Sequence, residues 1–125
     1  MRKLRIIVND IFFIAELLDT PTANKIYEVL PLSGVCNVWG NEIYFNVPLN
    51  LELESEAQQE VEVGDMAYWP VGPAVCLFFG STPVSQGDLP KAYSPVNVFA
   101  KIEGDILLLK NVYQGDKIKL EALKE

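Results

Sequence analysis

Histidine is absent from this sequence, and its only arginines are Arg2 and Arg5. Without an imidazole, neither a Ser-His-Asp triad nor a Cys-His pair can form, and histidine-based proton transfer is excluded. A metal ion would find only carboxylates and two thiols as strong ligands. We therefore expect no metal site and no cofactor, and most hydrolase mechanisms are excluded.

Positive charge is also scarce. The sequence has 10 Lys and Arg residues against 17 Asp and Glu residues, which gives a formal net charge of −7 at pH 7. A negative field repels phosphate backbones and anionic lipids, so neither nucleic acid nor a membrane is an expected partner. The basic, apolar start imitates a signal peptide, but Asn9 and Asp10 interrupt the apolar run and no small-residue cleavage site follows. We predict a cytoplasmic protein, and no sequence feature specifies an oligomeric state.

Cysteine occurs twice, at Cys36 and Cys76. Each cysteine lies inside a short apolar run typical of a β-strand, which is the usual setting of a buried, reduced thiol. We favour this structural role over a disulfide, a metal ligand or a catalytic nucleophile.

The remaining composition favours one β-rich domain over residues 1–125, since half of the residues are hydrophobic and the length suits one core. Short β-branched and aromatic segments separated by Gly, Pro and Asn are typical of a sandwich or barrel. Residues 4–18 predict a hairpin with its turn at residues 9–10. An N-cap and proline pair predicts one main helix at about 21–30, which we expect to cover a barrel end. Residues 105–112 suit either a short second helix or a strand.

Four blocks of sequence carry a resemblance to a known family. They are WGNEIYF at 39–45, VGDMAYWPVG at 63–72, AVCLFFGSTP at 74–83 and SPVNV at 94–98. Together they resemble a small family of uncharacterised bacterial and archaeal proteins with a cyclophilin-like domain. The resemblance implies a mainly β fold, a closed cyclophilin-like barrel with one main capping helix, and no settled activity.

True prolyl isomerases are a more distant comparison. Residues 43–48 resemble the isomerase strand that carries the catalytic arginine, and residues 66–79 resemble the framework that follows. No arginine lies between Ile6 and Glu125, however, so the donor that would stabilise the twisting prolyl amide is missing. Leu77 also replaces the expected glutamine. We therefore do not expect prolyl isomerase activity, since a shared fold does not carry a function with it.

Aromatic residues are concentrated in the same blocks. Because side chains alternate along a strand, Phe45 is predicted to face the interior and Tyr44 the opposite face beside Glu42. Tyr68 and Trp69 precede Pro70 and a glycine-containing turn, where they suit either a ligand groove or packing at the end of the barrel.

Two kinds of polar residue complete the candidate site. Asn97 suits either a loop brace or a ligand contact, and Glu42 and Asp65 are carboxylates next to aromatic residues that could desolvate them. We predict non-catalytic binding of a small molecule or extended peptide. The alternatives are prolyl isomerisation and a carboxylate-using enzyme or subunit of an amide-hydrolysing complex, the latter by analogy with related barrels. The predicted groove residues are Trp39, Glu42, Tyr44, Tyr68, Trp69 and Asn97.

Overall fold

The computed structural model describes residues 2–124. Over these residues the fold is mainly β, with ten strands, one α-helix and one 3₁₀ helix. The helices are α1 (Pro21–Val29) and the 3₁₀ helix Ile106–Asn111. The strands are β1 (Lys3–Val8), β2 (Ile11–Leu17), β3 (Leu32–Val35), β4 (Asn37–Val38), β5 (Glu42–Asn46), β6 (Gln58–Glu60), β7 (Asp65–Trp69), β8 (Ala74–Phe78), β9 (Lys91–Glu103) and β10 (Lys117–Leu123).

The strands form one antiparallel sheet in the order β3-β10-β1-β2-β9-β7-β8-β5-β4, and β6 pairs with β9 beside this path. The two end strands, β3 and β4, follow each other in the chain with only Cys36 between them. Segment 32–38 thus pairs with β10 through its first half and with β5 through its second half. Among the described residues no strand ladder closes the path between its two ends, so the expected closed barrel is not confirmed.

The first two strands form the expected hairpin, in which Val8 pairs with Ile11 and Asn9 adopts the positive φ of 54° that its tight turn requires. Helix α1 begins where the sequence predicts, because Thr20 Oγ1 accepts a hydrogen bond of 3.0 Å from Ala23 N. The helix ends at Val29, since the residue before Pro31 is disfavoured in helical conformation.

The sequence suited either a short helix or a strand at residues 105–112. The structure has a helix there, of the tighter 3₁₀ type, over residues 106–111. Leu109 is the buried residue of this turn, while Leu107 and Leu108 are exposed. No helix of residues 2–124 is both long and apolar enough to span a bilayer.

Apolar side chains cover both faces of the sheet. The larger core, on what we call the inner face, includes Phe45, which is fully buried as the alternation predicted. The opposite face of β5, β7, β8 and β9, which we call the outer face, carries a smaller cluster that positions the candidate site. The members of this outer cluster are Val61, Ala67, Cys76, Phe78, Ala92 and Val96.

Candidate functional site

A cavity of about 160 Å³ lies on the outer face of the sheet, at the edge of the outer cluster. The register places its residues together, because Tyr44 of β5 pairs directly with Cys76 of β8, and β7 lies on the other side of β8. Its buried members form the floor, and its partly exposed or exposed aromatic members form the walls. The lining residues are Trp39, Glu42, Tyr44, Trp69, Cys76, Ala92, Tyr93 and Val96.

The four aromatic walls form a continuous series of nearly perpendicular rings. Trp39 and Tyr93 have ring centroids 6.0 Å apart at 71°, and Tyr93 and Trp69 are 6.1 Å apart at 76°. Trp69 and Tyr44 continue the series at 6.4 Å and 79°. Edge-to-face packing of this kind stabilises each ring by its neighbours, so the walls hold one another in place.

Hydrogen bonds fix the indole of Trp69 and the backbone of Trp39. Trp69 Nε1 donates to Ser94 Oγ over 2.7 Å. Trp39 N donates to Glu42 O over 2.9 Å, and Glu42 N returns a bond of 3.2 Å to Trp39 O. Gly40 closes this turn with φ of +61°, and an added Cβ would lie 2.9 Å from Pro83 Cδ, so the turn requires glycine.

Glu42 is the only carboxylate of the cavity lining. Its side chain is 5% exposed, and its Oε1 atom has no hydrogen-bond partner among the described residues. Burial raises the pKa of Glu42 to about 7, an effect that the neighbouring Cys76 thiol partly offsets. The lining contains no Lys or Arg, so a charge on Glu42 has no balancing cation there. This carboxyl can take up a proton or attract a positively charged group.

Both cysteines are buried free thiols, as the sequence predicts. Burial raises the pKa of Cys36 to about 11, and burial beside Glu42 raises the pKa of Cys76 well above its usual value. We expect both thiols to react with a thiol-specific dye at least about a hundredfold more slowly in the native protein than in urea. Time-resolved labelling followed by mass spectrometry measures this, and rapid native labelling of either cysteine would contradict the structural role.

Tyr68 lies outside the cavity, so the expectation that it lines a groove beside Trp69 is wrong. Consecutive residues of a strand face opposite sides, and Tyr68 is fully buried in the inner core. Its hydroxyl donates to Leu49 O over 2.7 Å and accepts from Leu51 N over 3.0 Å. Tyr68 therefore anchors the loop that follows β5.

Asn97 is the register partner of Tyr68 and likewise lies outside the cavity. Its Nδ2 donates to Glu52 O over 2.9 Å and to Thr22 Oγ1 over 3.1 Å, while its Oδ1 accepts from Glu54 N over 2.9 Å. Of the two roles open for Asn97, these contacts favour the loop brace over the ligand contact.

The positions of two further residues, Asp65 and Tyr93, could not be assigned correctly from the sequence. Asp65, the second candidate carboxylate, is buried away from the cavity, where it forms an ion pair with Lys101 and accepts from Glu62 N over 2.9 Å. Tyr93 lines the cavity but is not among the six predicted groove residues. The signal that points to it is a lone aromatic immediately before the SPVNV block, in a strand that starts at Lys91.

Of the six predicted groove residues, the structure brings four together and leaves Tyr68 and Asn97 aside. The four that meet in the cavity are Trp39, Glu42, Tyr44 and Trp69.

Comparison with known proteins agrees with the fold described above. The hypothetical protein AF2241 from Archaeoglobus fulgidus, whose solution structure is known, is 36% identical, with a TM-score of 0.79 over 96% of this chain and 93% of that one. McbB, solved in complex with tryptophan, is 15% identical with a TM-score of 0.67. That likeness covers 98% of this chain but 46% of McbB, and it shows the fold alone.

No curated protein matches this sequence. The family model described as cyclophilin-like matches residues 2–121, which is nearly the whole chain. The chain therefore belongs to the cyclophilin-like family.

Proposed function

We propose that this protein binds a small molecule, or one side chain of an extended peptide, in the aromatic cavity and does not catalyse a reaction. The observation that carries the proposal is the enclosure of about 160 Å³ by four aromatic rings around one buried carboxyl. A cavity of roughly 150 Å³ in another protein holds benzene. The space here therefore suits a single ring or a compact branched group.

The chemistry of the walls supports binding. Aromatic side chains bury a large area with little loss of conformational entropy, and tyrosine and tryptophan also offer polar tips to a partly hydrated ligand. Tyr93 is 68% exposed, so covering it with a ligand would remove substantial apolar surface from water. McbB, which shares this fold over 46% of its length, was solved in complex with tryptophan.

Prolyl isomerisation remains disfavoured. The strand that resembles the isomerase motif is β5, which contributes Tyr44 to the cavity but no arginine. Asn46, which lies on the same side of the strand as Glu42 and Tyr44, uses its Nδ2 to donate to Gly72 O and Pro73 O, each over 3.3 Å. The strand thus lacks the cationic donor that such a transition state requires.

The second candidate is an enzyme, alone or as a subunit of an amide-hydrolysing complex, in which Glu42 transfers a proton. The pKa of Glu42 of about 7 favours it, because a general base works best when its pKa lies near the ambient pH. One observation counts against an enzyme with a cysteine nucleophile. Cys76 lines the cavity, but its raised pKa keeps it a neutral thiol, which is a poor nucleophile.

The proposal is tested by NMR with a set of small aromatic, aliphatic and cationic fragments. Trp39 and Trp69 are the only tryptophans of the chain and both line the cavity, so their indole N–H signals report on this site. We expect at least one fragment class to shift both signals saturably in the native protein.

Variants define the location of that binding. Tyr93→Ala should weaken binding by about tenfold, since it removes an aromatic wall from an exposed position where folding is not at risk. Tyr113→Ala is the matched control, because Tyr113 is 73% exposed and lies outside the cavity lining. A folded protein whose indole signals respond to no fragment would contradict the proposed function.

A further inference from the structure

The cavity combines two features that together select a chemical class of ligand. Its walls are four aromatic rings, and its one charged side chain is a buried carboxyl without a paired cation in the lining. Resting on the proposed function, we infer that the occupant is an alkylated ammonium group, whether on a free molecule such as choline or on a methylated lysine side chain. We call these residues, Trp39, Glu42, Tyr44, Trp69 and Tyr93, the cage.

The ring geometry suits a cation. Successive rings meet at 71°, 76° and 79°, so neighbouring rings stand nearly perpendicular to each other and do not form a flat stack. The face of an aromatic ring carries partial negative charge and attracts a cation within about 6 Å of its centroid. All four rings line the cavity and neighbouring centroids are only 6.0 to 6.4 Å apart, so a cation in the cavity has more than one ring close to it.

The carboxyl adds the selective element. A neutral ring could fill the same space, but it would leave the buried carboxyl of Glu42 without a counter-ion, which is costly when that group is ionised. The other titratable side chains of the lining, Tyr44, Cys76 and Tyr93, contribute no positive charge. The formal net charge of −7 adds a field that favours cations over anions.

The degree of alkylation follows from the hydrogen-bonding capacity of the cage. An unmodified ammonium carries three N–H donors and is strongly hydrated, so on entering the cavity it exchanges its water shell for few acceptors, namely one carboxyl and the two tyrosine hydroxyls. A trimethylated ammonium has no such donors, and it is no bulkier than the benzene that a cavity of similar size accepts. Alkylated cations are thus favoured over lysine itself.

The state of Glu42 links this binding to pH. Because burial raises the pKa of Glu42 to about 7, the carboxyl is largely neutral at pH 6 and largely ionised at pH 8. A bound cation favours the ionised form and is favoured by it. Affinity for the cation should therefore rise with pH across this range, whereas affinity for a neutral ligand should not.

The experiment compares choline with dimethylbutanol, its neutral isostere in which carbon replaces nitrogen. Intrinsic tryptophan fluorescence is the readout, because both tryptophans of the chain belong to the cage. We expect saturable binding at pH 8, with choline at least about tenfold tighter than its isostere. A short peptide with trimethyllysine, tested against the same peptide with unmodified lysine, distinguishes a free cation from a modified side chain.

Matched variants locate the charge effect. Glu42→Gln keeps the shape of the side chain and should weaken choline binding by about tenfold or more, while dimethylbutanol binding stays within about twofold. Tyr93→Ala should weaken binding of both compounds, and Tyr113→Ala should weaken neither. Circular dichroism of each variant verifies that the fold is retained.

The inference and the proposed function fail in different ways. Equal affinities for choline and dimethylbutanol, or unchanged choline affinity in Glu42→Gln, would overturn the cation inference and leave the binding function intact. The same holds if neither choline nor the trimethyllysine peptide binds while other fragments shift the indole signals. If neither choline nor any fragment produces a response in the folded protein, both fail.

Discussion

Replacing Glu42 with glutamine should raise the free energy of unfolding by about 3 kcal/mol at pH 8 and by very little at pH 4. The reason is the cost of ionising a buried carboxyl. Burial raises the pKa of Glu42 from 4.5 to about 7, so in the folded protein the neutral acid is favoured, whereas the unfolded chain loses that proton near pH 4.5.

The sign follows from proton binding. Between pH 4.5 and about 7 the folded state holds more protons than the unfolded state, so this residue makes the protein less stable as pH rises through that window. Below pH 4.5 Glu42 is protonated in both the folded and the unfolded state, so it causes no loss of stability there. Above about pH 7 it is ionised in both states, and the loss in the free energy of unfolding stays constant. Glutamine cannot ionise, so Glu42→Gln should remove the pH dependence due to this site.

Urea unfolding of the native protein and of Glu42→Gln between pH 4 and pH 8 measures the effect. Phosphate and acetate buffers are required, because an amine buffer could occupy the cage. Glu56→Gln is the control, since Glu56 is exposed and its substitution changes the net charge equally. A difference between native protein and Glu42→Gln that is the same at every pH would contradict the burial argument.

Replacing Asn97 with alanine should lower the free energy of unfolding by about 2 to 4 kcal/mol at any pH near neutrality. Asn97 is 2% exposed and makes three hydrogen bonds, two of them to backbone atoms of Glu52 and Glu54. The third bond reaches Thr22 Oγ1 at the start of α1, and Thr22 N in turn donates to Glu54 Oε2 over 2.9 Å. Alanine would leave these buried donors and acceptors without partners.

Urea unfolding measures the loss, and native-state hydrogen exchange of the Glu54 amide shows where it arises. That amide should lose its protection in Asn97→Ala, because its acceptor is removed. Asn50→Ala is the matched control in the same loop, since Asn50 is exposed. A cost below about 1 kcal/mol together with a protected Glu54 amide would show that Asn97 is not the brace.

The site could be predicted in part because alternation along a strand is a local property. The phase of Ile43, Phe45 and Val47 correctly placed Phe45 in the core, which put Tyr44 and Glu42 on the other face of β5. The same rule applies to Tyr68 and Trp69, which are neighbours on one strand and so cannot both face the cavity. Their shared position before a turn suggested a common role, and the alternation of side chains separates them.

Asn97 illustrates why polar residues are harder to assign. Its sequence context shows only that a buried amide needs partners, and those partners come from residues 52 and 54 and from the start of α1, far away in the chain. The position of Tyr93 likewise depends on distant parts of the chain, because β9, which contains it, pairs with both β6 and β7.

The sequence by itself specifies the mainly β class, the first hairpin, the helix after Thr20, the buried thiols, the lack of histidine and the excess of acidic over basic residues. Composition is read directly, and capping and alternation act over a few neighbouring residues. The assembly of the cage is a tertiary property. Trp39, Glu42 and Tyr44 come from one segment, whereas Trp69 comes from β7 and Tyr93 from β9, and antiparallel pairing brings these three parts of the chain around one cavity. The same packing removes Glu42 from water and moves its pKa towards neutrality, a property that follows from the surroundings of the carboxyl and not from its neighbours in the chain.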